Sequence, residues 1–128
     1  MIVHHLVLDT PSLLALSGNR QVSALVHRAH FEPETRLWVP VLSVLEADAE
    51  YEGMAEHVGQ LEVLHTLDLD YTGMLAVARL RREGVAVGVG AAVHAVGQLP
   101  QWGTDALVAT VTPKAYEGLG VPVFDLNR

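Results

Sequence analysis

Short β-branched apolar runs alternate with amphipathic helical stretches along the whole chain, and this alternation restricts the fold more than any other feature. Strands with helices between them do not pair as hairpins; they pair in parallel, with helices covering both faces of the sheet. The runs are Val3 to Leu8, Leu37 to Val41, Glu62 to Leu67, Ala106 to Val111 and Val121 to Phe124. Between them the pattern predicts helices over Thr10 to Leu16, Arg20 to His30, Ser43 to about His57, from behind Asp70 to Gly84, and about Ala91 to Leu99. Thr112-Pro113 opens one more short helix. Val22, Leu25, Val26 and Ala29 recur at helical spacing and form one apolar stripe. Met74, Leu75, Ala78 and Leu80 are the expected buried face of the helix behind Asp70. The expectation is an α/β fold with a mostly parallel sheet of four or five strands, one domain over residues 1–128.

A chain of 128 residues can bury a sizeable core. Half of it is hydrophobic but only 5% is aromatic, so Val, Leu and Ala must fill that core. With no cysteine there are no disulfides or thiolate metal sites, which fits a reducing compartment. No basic stretch precedes Asp9, so no leader is expected, and no apolar run reaches the ~18 residues of a membrane span. The expected location is the cytoplasm. The formal net charge of −7 counts against strong electrostatic binding of nucleic acid. Arg79, Arg81 and Arg82 form the tightest basic cluster and read as the solvated end of a helix.

The chemistry concentrates where strands run into helices. Val3 to Leu8 ends in Asp9-Thr10-Pro11, in which Thr10 suits the N-cap and Pro11 the first helical position. Asp9 then stands at the carboxyl end of a central strand, where open α/β sheets bind ligands; its bland reading is a helix cap. Glu46 follows the second strand in the same way. It also completes a Ser43–Glu46 capping box, which explains it without any ligand. Two carboxylates on one sheet edge, helped by waters, suit Mg²⁺ or Mn²⁺, and helix N-termini beside them favour phosphate.

Val7-Leu8-Asp9-Thr10-Pro11-Ser12-Leu13-Leu14-Ala15-Leu16 resembles the opening of PIN domains, above all toxins of the virulence-associated protein C (VapC) type. Val39-Pro40-Val41-Leu42-Ser43-Val44-Leu45-Glu46-Ala47 resembles the second signature of that family. Ala91-Ala92-Val93-His94-Ala95-Val96 resembles its third, and Ala106-Leu107-Val108-Ala109-Thr110 its fourth. The resemblance implies a three-layer α/β/α fold and a bacterial Mg²⁺-dependent endoribonuclease, in which metal activates water against an RNA phosphodiester. It further implies an antitoxin-like protein partner that blocks the acidic edge, and a homodimer. Asp9 and Glu46 match the first and second acids of the family and would hold Mg²⁺ or Mn²⁺. Thr10, Thr110 and Thr112 would help orient water or phosphate.

The third and fourth acids of that pattern are missing. No Asp or Glu lies between Glu83 and Asp105, and Val89 or Gly90 stands at the third position. Thr112 stands at the fourth, while Asp105 reads as a loop residue before its strand. Clamping both reacting oxygens between two metals needs more ligands than two carboxylates supply. Of the seven histidines, His94 reads as a packed helix residue rather than a ligand. His4 and His5 adjoin in a strand and so face opposite ways. His27, His30, His57 and His65 are scattered along the chain. Two functions stay open: a ribonuclease with a reduced ligand set, or a non-catalytic PIN-like module that binds a protein or RNA. Fold alone does not choose between them.

Overall fold

The computed structural model describes residues 3–99 and 104–127, leaving aside the side chains of residues 104 and 105. Five strands form one sheet: β1 (Val3–Leu8), β2 (Thr35–Pro40), β3 (Leu64–Leu67), β4 (Thr104–Thr110) and β5 (Val123–Asp125). Their order is β3-β2-β1-β4-β5, and every pairing is parallel. The helices are α1 (Thr10–Leu14), α2 (Arg20–Phe31), α3 (Val41–Glu50), α4 (Met54–Gln60), α5 (Tyr71–Arg82) and α6 (Val87–Gln98). A single-turn 3₁₀ helix, Pro113–Tyr116, joins β4 to β5.

Helices cover both sheet faces, as the alternation of the sequence predicts. Side chains along a strand point alternately to opposite faces, which divides the core in two. Leu8, Leu37, Val39 and Ala109 face one way and pack with Leu13, Val22, Leu25, Ala47 and Val58 from α1 to α4. Val7 and Val108 face the other way and pack with Val89, Ala92 and Ala95 of α6 and with Tyr116. Strand order reverses at the central strand: β1 is followed spatially by β2 on one side and β4 on the other. The carboxyl ends of β1 and β4 therefore flank a topological switch point, which opens a crevice at this edge. Asp9 directly follows β1, and Thr110 ends β4.

Several boundaries differ from the sequence reading, for local reasons. The expected long helix behind β2 is two helices, because Gly53 adopts φ 95° and turns the chain between Glu50 and Met54. Asp48 accepts from Gly53 N and Ala55 N across that turn. Helix α6 begins at Val87 rather than Ala91, so Gly88 and Gly90 are helical as well as Gly97. Asp105 lies within β4, opposite His4 in register, and is not a loop residue; Thr104 is likewise in the strand. Residues 101–103, which precede β4, lie outside the described residues. Helix α5 buries Gly73 and Val77 rather than the expected Met74, which is 39% exposed. Its ends agree with expectation: Asp70 accepts from Gly73 N, and Gly84 closes it with φ 95°. There Gly84 N donates to Arg81 O and Val85 N to Leu80 O, the paired bonds of a Schellman motif.

Candidate functional site

Asp9 emerges from β1 fully buried, and its carboxylate is satisfied on both oxygens. Oδ1 accepts from Ser12 N at 3.1 Å, so Asp9 itself caps α1. This corrects the expectation that Thr10 is the cap; Thr10 is the first helical residue, and Pro11 the second. Oδ2 accepts two hydroxyls, Thr110 Oγ1 at 2.6 Å and Tyr116 OH at 2.7 Å. Hydrogen bonds to a charged group each stabilise by about 1.5–3 kcal/mol, which offsets the cost of burying the carboxylate.

The second acid is spent in a different way. Helix α3 starts two residues ahead of Ser43, capped by Pro40 with no side-chain bond, so the capping box does not form. Ser43 Oγ instead crosses to α6 and donates to Gly88 O at 2.9 Å, while Gly88 N donates to Glu46 Oε2 at 3.2 Å. Ala86, the N-cap of α6, makes no side-chain cap bond. Glu46 of α3 thus takes over one orphan N–H of a neighbouring helix, where a negative charge also suits the helix dipole. Thr10 Oγ1 donates to Ser43 O at 3.0 Å and completes the link from α1 through α3 to α6.

Gly88 is what permits this junction. A Cβ on it would collide with Thr10 Oγ1 and stand 2.6 Å from Glu46 Oε1. Position 88 therefore faces Thr10 and Glu46, whereas Val89 and Gly90 have other neighbours. Val89 is buried in the core with Val7 and Val108. A side chain at position 90 would meet Val77 and Leu80 of α5. An acid at either place would sit in apolar packing and not at the edge.

The remaining sequence candidates divide into those gathered here and those placed elsewhere. Thr10, Thr110 and Thr112 lie beside the two acids; Thr112 N donates to Thr110 Oγ1 at 3.0 Å, and the two hydroxyls are 3.2 Å apart. His94 is away from the edge, with Nε2 against the start of α5 near Gly73. His4 is exposed and His5 buried, on opposite faces as expected. His5 Nδ1 accepts from Trp38 Nε1 at 2.9 Å.

Tyr116 is the residue that sequence reasoning missed. It is 3% exposed, and its phenol is pushed far above the ordinary range. Burial is the largest cause, followed by the charge of Asp9, the hydrogen bond to Asp9 and the charge of Glu46. The phenol therefore stays protonated and acts as a donor within the field of both acids. Its only sequence signal is a tyrosine one turn beyond Thr112-Pro113, behind a strand that ends at the switch point.

The donor set does not fit a divalent cation as it stands. Asp9 keeps no solvent-facing oxygen, and one Glu46 oxygen is committed to Gly88. Among the described residues no group of three or more His, Asp or Glu side chains could hold a metal ion. A cavity of about 680 Å³ lies beside the 3₁₀ turn, lined by Pro113, Lys114, Glu117, Val123, Phe124 and Asp125, and Asp9 lines neither it nor the two that follow. A cleft of about 660 Å³ lies between the sheet and α2, lined by Leu6, Leu25, Leu107 and Phe124. A shallower one of about 380 Å³ borders Glu46 and is otherwise lined by Leu42, Leu45, Asp48, Ala49 and Val87.

No family model matches the sequence, and no curated protein matches it. Among solved structures the chain is similar to a toxin–antitoxin complex from Klebsiella pneumoniae, with a TM-score of 0.60. The alignment covers 94% of this chain and 96% of that one at 15% identity. The fold is therefore shared with a protein of a toxin–antitoxin complex. Among the described residues no helix is long and apolar enough to cross a membrane.

Proposed function

We propose that this chain is a PIN-type domain of the VapC-like toxin lineage that works by binding a protein partner, with its acidic edge kept as part of the fold. The observation that carries this reading is the fate of Asp9: buried, capping α1 through Oδ1 and accepting two hydroxyls on Oδ2. Three of the roughly four acceptor positions of this carboxylate are filled by the chain itself, and the residue is fully buried. Its family-pattern companions are Val89 or Gly90 and Thr112, none of which can supply an anionic ligand.

The partner surface we assign is the outer face of α3. Leu42, Leu45 and Ala49 form a stripe at helical spacing, continued by Val87, and Leu45 is 65% exposed. Glu46 and Asp48 border it. An apolar stripe rimmed by carboxylates, on a chain of net charge −7, suits a short apolar segment carrying Lys or Arg. The toxin–antitoxin complex that shares this fold supports a protein as the partner.

The alternative reading is a Mg²⁺- or Mn²⁺-dependent endoribonuclease. It is favoured by one observation: Glu46 stands beside Thr10, the residue that follows Asp9, so the two acids share one corner of the sheet edge. Incubating a mixed single-stranded RNA pool with Mn²⁺ or Mg²⁺ decides between the two. We expect no cleavage that Asp9→Asn abolishes. Cleavage present in the native protein and lost in Asp9→Asn would establish the ribonuclease reading.

A further inference from the structure

The segment that joins β4 to β5 passes over the acidic edge as a short strap. Pro113 opens its 3₁₀ turn, and Gly118 and Gly120 close it with φ 79° and 73°, left-handed values that glycine adopts without strain. Leu119 N donates to Tyr116 O, and Leu119 and Val121 pack against the α6-side core. The strap is therefore fixed on both sides of Tyr116, and the ring is buried beside Val7 and Val108. Its hydroxyl ends 2.7 Å from Asp9 Oδ2, on the same oxygen that Thr110 reaches at 2.6 Å.

A carboxylate buried this completely needs positive compensation from a cation or from hydrogen-bond donors. Both donors here belong to the chain. We propose that the Tyr116–Thr110 hydroxyl pair stands in for a divalent cation at Asp9, so that the strap plugs the edge and Asp9 stabilises the fold without metal. The inference rests on the non-catalytic reading of the edge given above and explains what replaced the catalytic use of Asp9. The two hydroxyls act on one oxygen. Losing one leaves the other in place, and losing both leaves a buried charge with no partner on that side. The pair must therefore be coupled.

The test is thermal melting of the full chain in EDTA and in millimolar Mn²⁺, for wild type, Tyr116→Phe, Thr110→Val, the double variant and Asp9→Asn. Both single substitutions keep the shape of the side chain and remove its hydroxyl. We expect each to lower the midpoint by about 5–10 °C, and the double variant to lose more than the sum of the two. Wild-type curves in EDTA and Mn²⁺ should coincide, because a cation that bound only the folded state would raise the midpoint. If the double variant does not fold, the two single variants and the wild-type pair of curves still decide the matter. A Mn²⁺-dependent rise in wild type that Asp9→Asn removes overturns the proposal, and so does a Tyr116→Phe midpoint equal to wild type. Uncoupled melts without RNA cleavage would sink this inference alone, whereas Asp9-dependent cleavage would sink the non-catalytic reading as well.

Discussion

His5 shows how one buried side chain sets a pH dependence. It is 6% exposed, and its pKa is lowered, chiefly by burial and then by the Arg36 charge. The fold thus favours the neutral ring, whose Nδ1 accepts from Trp38 Nε1. A protonated ring could not accept that bond. The stability His5 contributes is present above its ordinary value of about 6.5 and is lost as pH falls through the lowered folded value. Melting midpoints should therefore decline on acidification below about pH 6.5, and His5→Gln should flatten that decline. An unchanged slope in His5→Gln would show that other groups carry it. At this scale the sequence places Asp9 at the carboxyl end of β1 but gives none of the bonds that Asp9 and Glu46 make to distant residues. A capping residue is recognised from its near neighbours, whereas Tyr116 lies 107 positions from Asp9 and Gly88 lies 42 from Glu46.

Among the elements, α6 has the most to explain, because a run of small residues carries little helical signal. Its start depends on α3: Glu46 takes the Gly88 N–H, and Ser43 binds the Gly88 carbonyl. Gly88→Ala forces a Cβ against Thr10 and Glu46, so it should destabilise by about 2–3 kcal/mol. Gly97 sits in the same helix with nothing within 4 Å of its would-be Cβ. Gly97→Ala should stabilise by about 0.5 kcal/mol, since alanine is the better helix former. Chemical denaturation of both variants checks the pair; equal effects would mean that α3 does not hold the start of α6. The Ser43–Glu46 spacing fits a capping box within α3, but the two side chains are used between helices instead. The spacing puts both on one face of the helix in either case; only the packing of α6 decides which partner they meet.

For the whole molecule, charge and exposed apolar surface are read together. The −7 charge and the α3 stripe predict binding of a basic, apolar helical peptide, followed by fluorescence anisotropy. Leu45→Asp should weaken that binding about tenfold or more, the usual loss when a central apolar anchor is removed. Added salt should weaken it too, since exposed charges are screened. Equal binding by Leu45→Asp would move the partner surface off α3. The sequence by itself determined the α/β class, the parallel sheet and the position of Asp9 at its carboxyl edge. These follow from local periodicity and from helix starts legible within a few residues. Only the tertiary structure decided what the edge is made of. The bonds that close it join β1 to β4, the strap to Asp9 and α3 to α6, and a hydrogen bond between residues far apart in the chain leaves no periodic trace in the sequence.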